Sequence, residues 1–262
     1  MKLKVINIRN YSRQYLQEYK NLSFETALVG IRRKIVLKYL NQYQHKHILE
    51  IGCGLEPLFL YCKDYETYTI VEPSDCFVQN AKKLAQRKNN LHIVHGYMEE
   101  TYRELLQHNK WGFDFIILSS VLHQVPDPRR LLRSIYKLCG KNTVVHINVP
   151  NMYSFHRLLA CEMGLIKSIF DKSQEDIKFQ KHTQFDKERL LKLLKIYGFN
   201  ALSQGTYFIK PFTHGQLEKI IKKNIVNRDV IQGLESMIKY MPDLGCEMFV
   251  NVKINPYSKL RK

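Results

Sequence analysis

Residues 24–41, FETALVGIRRKIVLKYLN, place apolar side chains at helical spacing behind Ser23, whose hydroxyl suits a helix N-cap. Beyond residue 44 short strands and helices alternate. HKHILEIG (45–52) reads as a short strand closing in a glycine turn, LEPLFLYCKD (55–64) as the next helix, TYTIVE (67–72) as a strand and CFVQNAKKLAQRK (76–88) as a helix. LHIVHG (91–96), FDFIILSS (113–120) and NTVVHINV (142–149) continue the strands, with EETYRELLQ (99–107) and PRRLLRSIYKLC (128–139) as the helices between them. Strands alternating with helices over roughly a hundred residues imply parallel strands joined by right-handed crossovers, with helices on both faces.

After Pro150 the alternation lapses. Residues 151–185 read as an insertion, DKERLLKLLKIYGF (186–199) restores a helix, ALSQGTYFIKPF (201–212) is a sixth strand, residues 215–241 are helical, and CEMFVNVKI (246–254) is the last strand. The expectation is an α/β fold: a doubly wound, mostly parallel seven-stranded, Rossmann-like sheet with helical insertions. One domain spans 1–262, with an N-terminal helical segment (1–46), a cofactor-binding core (47–150) and substrate-side insertions at 151–185 and 213–241. In such sheets ligands bind beyond the carboxyl ends of the strands, so the loops after Ile51, Val71, Val94, Leu118 and Val149 matter most.

Composition changes this picture little: 45% hydrophobic and 25% charged residues describe an ordinary globular chain. No window holds the roughly 18 apolar residues of a membrane span, and the amino end lacks a secretory signal. Six cysteines without a CxxC pair point to reduced thiols in a cytoplasm and to no zinc site. Charge is the outlier. The formal +17 is distributed as +8 over 1–47, +1 over 48–150 and +8 over 151–262, so basic residues flank a balanced core. Such flanks suit a phosphate-bearing small molecule, nucleic acid or a membrane surface, or are simply solvated lysines on helix surfaces.

Ile48-Leu49-Glu50-Ile51-Gly52-Cys53-Gly54 leaves a strand into a glycine turn, and Glu72 closes the second strand eighteen residues after Gly54. Glycines there let backbone approach a ligand, and a carboxylate at that spacing can accept hydrogen bonds from ribose hydroxyls. A nucleoside ligand is implied. A dinucleotide is not, because GxGxxG/A needs a small residue where this chain has Pro57, and Glu56 would lie beside the pyrophosphate.

These residues resemble the class I S-adenosylmethionine-dependent methyltransferases, in which an acidic residue precedes GxG on the first strand. The resemblance implies that S-adenosyl-L-methionine is the cofactor and S-adenosyl-L-homocysteine the product. It also implies that Glu50, Gly52 and Gly54 surround the methionine part, that Glu72 holds the ribose, and that Gly96-Tyr97-Met98 borders the adenine. The third glycine of the family's turn is absent, which bears on contacts at Leu55-Glu56. Ser119, at the end of strand four, completes the cofactor set, with Arg32. Further stretches are similar to a subgroup tied to bacterial surface polysaccharides: LEIGCGLEPLF, the run at Val149–Ile166, YFIKPFTHGQ at 207–216 and KYMPDLGCEMFV at 239–250. Ubiquinone-type and sugar methyltransferases share the broad likeness.

Methyl transfer from a sulfonium is an in-line displacement that chiefly needs alignment, with a general base adding about 10²–10⁴-fold and no metal required. Histidine serves an alcohol acceptor at neutral pH, with a rate rising through a pKa of about 6–7. His123 follows strand four, His156 lies on the insertion and His182 precedes the later helix; these are the candidate bases. His146, within an apolar strand, reads as a satisfied core histidine. Arg32 and Arg33 either pair with the methionine carboxylate or form a surface basic pair. Asn151, Arg157 and Lys210 are candidate acceptor ligands. Strand four ends in Ser119-Ser120 rather than the Asn/Asp-Pro-Pro-aromatic turn of many amino-group methyltransferases, which favours oxygen chemistry. The expectation is O-methylation of a small anionic sugar- or phosphate-bearing precursor of a surface polysaccharide or capsule. The rivals are an RNA methyltransferase tracking phosphate with its basic flanks, and a non-catalytic cofactor-binding regulatory subunit.

Overall fold

Apolar residues at every position of β4 (Phe113–Ser119) from 115 to 118 require cover on both sides of the strand, and the fold supplies it. The computed structural model describes residues 7–19, 23–86, 88–108 and 112–258. With β1 (His47–Ile51), β2 (Thr67–Glu72), β3 (Leu91–His95), β5 (Cys139–Pro150), β6 (Phe199–Tyr207) and β7 (Glu247–Ile254), β4 forms one sheet in the order β3-β2-β1-β4-β5-β7-β6. The first five strands pair in parallel; β7 runs antiparallel between β5 and β6. This is the expected seven-stranded Rossmann-like architecture.

Strand periodicity divides the core. Ile48, Tyr68, Ile70, Phe115 and Ile117 face α2 (Ser23–Leu40) and α3 (Asp75–Ala85). Leu49, Val71, Ile116, Leu118 and Val145 face α4 (Met98–His108), α5 (Pro128–Leu138) and α8 (Lys187–Ile196). The α5 start is fixed by Pro128 in the first turn and by Asp127, whose side chain accepts the Arg129 amide. Helix α1 (Ile8–Tyr19) precedes α2, and the insertion contributes α6 (Phe155–Glu162) and the one-turn α7 (Gln174–Lys178). Among the described residues no helix is long and apolar enough to cross a membrane.

Three expectations need correction. The helix expected over 55–64 is a single 3₁₀ turn, Leu58–Leu60. Pro57 flanks it, the buried Glu50 carboxylate draws the Leu58 amide inward, and Asp64 takes a left-handed φ of 62°. The helical stretch at 215–241 is broken into α9 (His214–Lys222) and α10 (Arg228–Ser236), because Asn224 turns left-handed and Asn227 caps the second helix on the Val230 amide. The strand expected to run to Phe212 leaves the sheet after Tyr207. Residues 1–6 and 20–22, the side chain of Ser23 with its expected cap, and Arg87 near the expected end of α3 lie outside the described residues.

Candidate active site

The carboxyl ends of β1 to β5 open on one cavity of about 670 Å³, within the ~300–1,000 Å³ common to small-molecule sites. It lies where the strand order reverses between β1 and β4. Each of the five loops singled out in the sequence reaches it, through Gly52, Pro73, Gly96, Ser120 and Asn151 among others.

One half is built from the glycine turn. Gly52 has φ +77°, and a Cβ there would sit 2.6 Å from Val121 Cγ2; Gly54 has φ +57° and open space in front of it. Glu72 stitches this turn to β2, one carboxylate oxygen accepting the Cys53 amide at 3.0 Å and the other the Ser74 amide at 2.9 Å. Each oxygen keeps a second lone pair for a ligand hydroxyl. Burial raises the Glu72 pKa, against those amide hydrogen bonds. Glu50 accepts the Leu58 amide at 3.2 Å and the Tyr68 hydroxyl at 2.8 Å, and burial pushes it up to about 8. Tyr97, Met98 and Ser119 complete this wall. A nucleoside therefore meets open space in front of Gly54 and a carboxylate at the end of β2.

Helix α1 closes the cavity from the other side. Ile8, Tyr11 and Tyr15 line it, Gln124 donates to the Tyr11 hydroxyl at 2.9 Å, and the Asn7 amide donates to Gln180 Oε1 of the insertion at 3.0 Å.

The second half gathers α2, the insertion, the segment after β6 and the start of β7. Arg32 is held by Glu247, its Nε 2.8 Å from Oε2, and the Tyr207 hydroxyl donates to the same carboxylate. Burial would raise the Glu247 pKa, but Arg32 overrides it and holds the carboxylate low. Arg33 pairs with Glu56 and lies 3.6 Å from the Tyr61 ring centroid. Both arginines line the cavity with their guanidinium groups already engaged by protein carboxylates.

Asn151 and Arg157 also line the cavity, yet they brace it. Asn151 donates to the carbonyls of Asp243 and Gly245. Arg157 donates through Nε to the Ile169 carbonyl at 2.6 Å and through Nη2 to the Asp171 carbonyl, and Nη1 lies 3.8 Å from Asp176. Lys210, 9% exposed, reaches the same space.

The histidines differ in placement. His123 is buried in the cavity wall, with no hydrogen-bond partner at Nδ1, and its pKa is driven well below the usual range by burial and then by Lys181 and Arg32. His156 accepts or donates at Nδ1 to Ser154 Oγ at 3.1 Å; burial, Lys210, Arg157 and Lys181 push it down to about 2. His182 stands behind the lining, its amide donating to the His123 carbonyl at 2.9 Å. His146 is the satisfied core histidine expected, bonded to Asn251 at 2.7 Å. Burial, with nearby cations after it, thus shifts both His123 and His156 toward their neutral forms.

Sequence reasoning passed over Glu25, Lys181, His214 and Glu247, which all line the cavity. His214 stood within the quoted YFIKPFTHGQ run; only the packing of α9 against α2 brings its Nε2 within 3.7 Å of Glu25. Glu247 heads β7 within the quoted 239–250 run, where nothing local marked it as a partner for Arg32.

A family model described as a methyltransferase domain matches residues 26–204. No curated protein matches the chain. Among solved structures, the chain is similar to an S-adenosylmethionine-dependent methyltransferase, possible histamine N-methyltransferase, from Thermotoga maritima (17% identity over 94% of this chain and 99% of that one, TM-score 0.55). A second is an S-adenosylmethionine-dependent methyltransferase from Clostridium acetobutylicum (10% identity, 93% and 98% covered, TM-score 0.58). A third is the plantazolicin methyltransferase BamL in complex with a triazolic desmethylPZN analogue and SAH (16% identity, 94% and 88% covered, TM-score 0.51). At these identities the likeness is one of fold.

Proposed function

The chain belongs to the family of S-adenosylmethionine-dependent methyltransferases, and from that premise we propose that it methylates an oxygen of a small anionic acceptor. The observation that carries this reading is the continuity of the cavity, from the Gly52–Gly54 turn and Glu72 to the buried cations and histidines of the insertion and the segment after β6. Our reading of that acceptor as a sugar- or phosphate-bearing precursor of a surface glycan rests on the resemblance noted for the 149–166, 207–216 and 239–250 runs.

S-adenosylmethionine, when bound, supplies an electrophilic methyl group on a sulfonium. Glu72 would accept the ribose hydroxyls, Tyr97 and Met98 would border the base, and Gly52, Gly54 and Glu50 would surround the methionine part. Ser119 supports the turn after β4. Arg32, clamped by Glu247, lends positive charge to the wall rather than a free fork for a carboxylate. Lys210 meets the acceptor's anion, while Arg157 and Asn151 hold the walls that exclude water and align the oxygen. A hydroxyl acceptor needs a base, and His123, held neutral by burial, Lys181 and Arg32, would be a weak one; an acceptor oxygen already ionised needs none.

An RNA acceptor fits less well, because the cations named here line a cavity together with α1 and the insertion, whereas a phosphate track needs them along an outer surface. Incubation of the protein with methyl-labelled S-adenosylmethionine and a panel of sugar phosphates, nucleotide sugars and total RNA tests the reading. Label in a small anionic product is expected. Label confined to RNA would overturn it.

A further inference from the structure

Among the described residues that line the cavity, the exposed ones are Ser173 and Lys178 of the insertion and Gly215, Lys219 and Lys222 of α9. They mark its mouth. Each side of that mouth also presents an aliphatic side chain that lies outside the core clusters: Ile177, beside Lys178, is 61% exposed, and Ile225, just after α9, is 67% exposed. Both are held in place by their neighbours. Asp176 is buried and anchors α7 through Lys181 at 3.0 Å, which leaves Ile177 turned outward. The Ile225 amide donates to the Ile220 carbonyl at 3.1 Å behind the left-handed Asn224, so a fixed turn carries Ile225.

Exposed aliphatic groups beside lysines suit the boundary of a bilayer, where the apolar part leaves water and the ammonium reaches the headgroups on its flexible stem. The sign of the charge selects anionic lipid. Residues 151–262 carry a formal +8, and between 211 and 228 the single acid is Glu218 against Lys219, Lys222, Lys223 and Arg228. Internal pairing, such as Lys222 with Glu218 at 3.4 Å, is already counted in that sum. A second copy of the chain would set the same positive surplus against itself. A nucleic acid would account for the lysines but not for exposed isoleucines, since single strands stack their bases on rings.

We propose that the mouth of the cavity seats on an anionic lipid bilayer, with Ile177 and Ile225 entering the interface and Lys219, Lys222 and Lys223 meeting the headgroups. The cavity then opens directly onto the membrane surface. This rests on the methyltransferase reading and deepens it: the acceptor is an amphiphile whose polar head rises from the bilayer into the cavity while its apolar chain stays in lipid. Apolar insertion and headgroup attraction act together in such binding, so removing either weakens it.

Co-sedimentation of the full chain, saturated with S-adenosylhomocysteine, tests this with vesicles of phosphatidylglycerol mixed into phosphatidylcholine and with phosphatidylcholine vesicles alone. The protein is expected to sediment with the mixed vesicles, to stay in solution with phosphatidylcholine, and to come off the mixed vesicles as salt rises. The double variant Ile177→Ser with Ile225→Ser leaves the charge untouched. It should bind the mixed vesicles at least tenfold more weakly while its thermal midpoint and S-adenosylhomocysteine affinity match the parent. Parental vesicle binding by the double variant overturns the proposal, and so does sedimentation with neither vesicle. Tighter binding to structured RNA than to the mixed vesicles would assign the mouth to a nucleic acid instead, and a dimer that dissociates in the double variant would assign it to a second copy. Failure to bind S-adenosylhomocysteine at all would bring down the methyltransferase reading.

Discussion

The side-chain oxygen of Asn148 accepts hydrogen bonds from both Ser119 Oγ, at 3.2 Å, and the Ser120 amide, at 2.9 Å. A residue in the middle of the sheet thereby fixes the turn that leaves β4 for the cavity. The turn needs the help, because Ser120 holds a left-handed φ of 60° without being glycine. The chain of bonds continues through the Asn148 side-chain amide to His146 at 3.3 Å, from His146 to Asn251 and from Asn251 to Ser203. Asn148→Ala removes the acceptor of Ser119 Oγ and the side-chain partner of His146 Nε2, while the Ser120 amide keeps the Asn148 carbonyl at 3.0 Å. It is expected to cost about 1–3 kcal/mol of stability and to weaken S-adenosylhomocysteine binding, measured by urea unfolding and calorimetry. A variant as stable as the parent, with unchanged affinity, would show that the turn holds itself.

His146 makes stability pH-dependent. In the unfolded chain a histidine titrates near 6.5, whereas burial holds His146 down to about 4, against the hydrogen bond it donates to Asn251. Between those values the unfolded state binds the extra proton. Its contribution is therefore complete above pH 6.5, falls as the pH drops toward 4, and is constant below that; the loss is roughly 3 kcal/mol over the window. His146→Gln, which keeps a donor and an acceptor, should flatten that part of the profile. Parallel urea midpoints for parent and variant at pH 7.5, 5.5 and 4.5 decide it, and identical slopes would remove His146 as the source.

The two glycines of the cofactor turn should behave differently. At Gly52 an added Cβ meets Val121 Cγ2 at 2.6 Å in a left-handed backbone, so Gly52→Ala is expected to lower stability. Gly54→Val meets no neighbouring atom, but a β-branched residue is strained at φ +57°, so some stability should be lost while S-adenosylhomocysteine affinity falls at least tenfold. Glu72→Ala should lose ribose contacts worth about 1.5–3 kcal/mol, and it also releases the Cys53 and Ser74 amides. Thermal shift and calorimetry on the three proteins separate folding from binding. Tight binding by Gly54→Val would place the ligand elsewhere.

Period-two burial made the strands readable, since Leu49 and Ile48 each had to find cover on opposite faces, and the Gly52–Gly54 turn with Glu72 announced a nucleoside site through spacing alone. What the sequence concealed depends on contacts between distant segments. Arg32 looked available for a carboxylate until β7 delivered Glu247 from 215 positions away. His214 looked like part of a loop until α9 docked on α2. The LEPLFLYCKD stretch has helical periodicity, but Pro57 and the pull of Glu50 on the Leu58 amide decide its path; neither effect is visible in the spacing of apolar residues.

Arg157 gives the last expectation. As a substrate ligand it would tolerate truncation with its fold intact, but its guanidinium bridges α6 to the loop ahead of α7 through the carbonyls of Ile169 and Asp171 and the Asp176 carboxylate. A lysine cannot reproduce that, since it offers a point charge in place of a planar fork with donors in fixed directions. Arg157→Lys should therefore loosen the 163–173 loop while β1, β2 and the glycine turn keep their geometry. Two readouts check this: faster amide hydrogen exchange and proteolysis confined to that loop, and S-adenosylhomocysteine affinity within about twofold of the parent, a difference of about 0.4 kcal/mol. Unchanged exchange in the loop with lost methyl transfer would return Arg157 to the role of direct ligand that its position in the sequence first indicated.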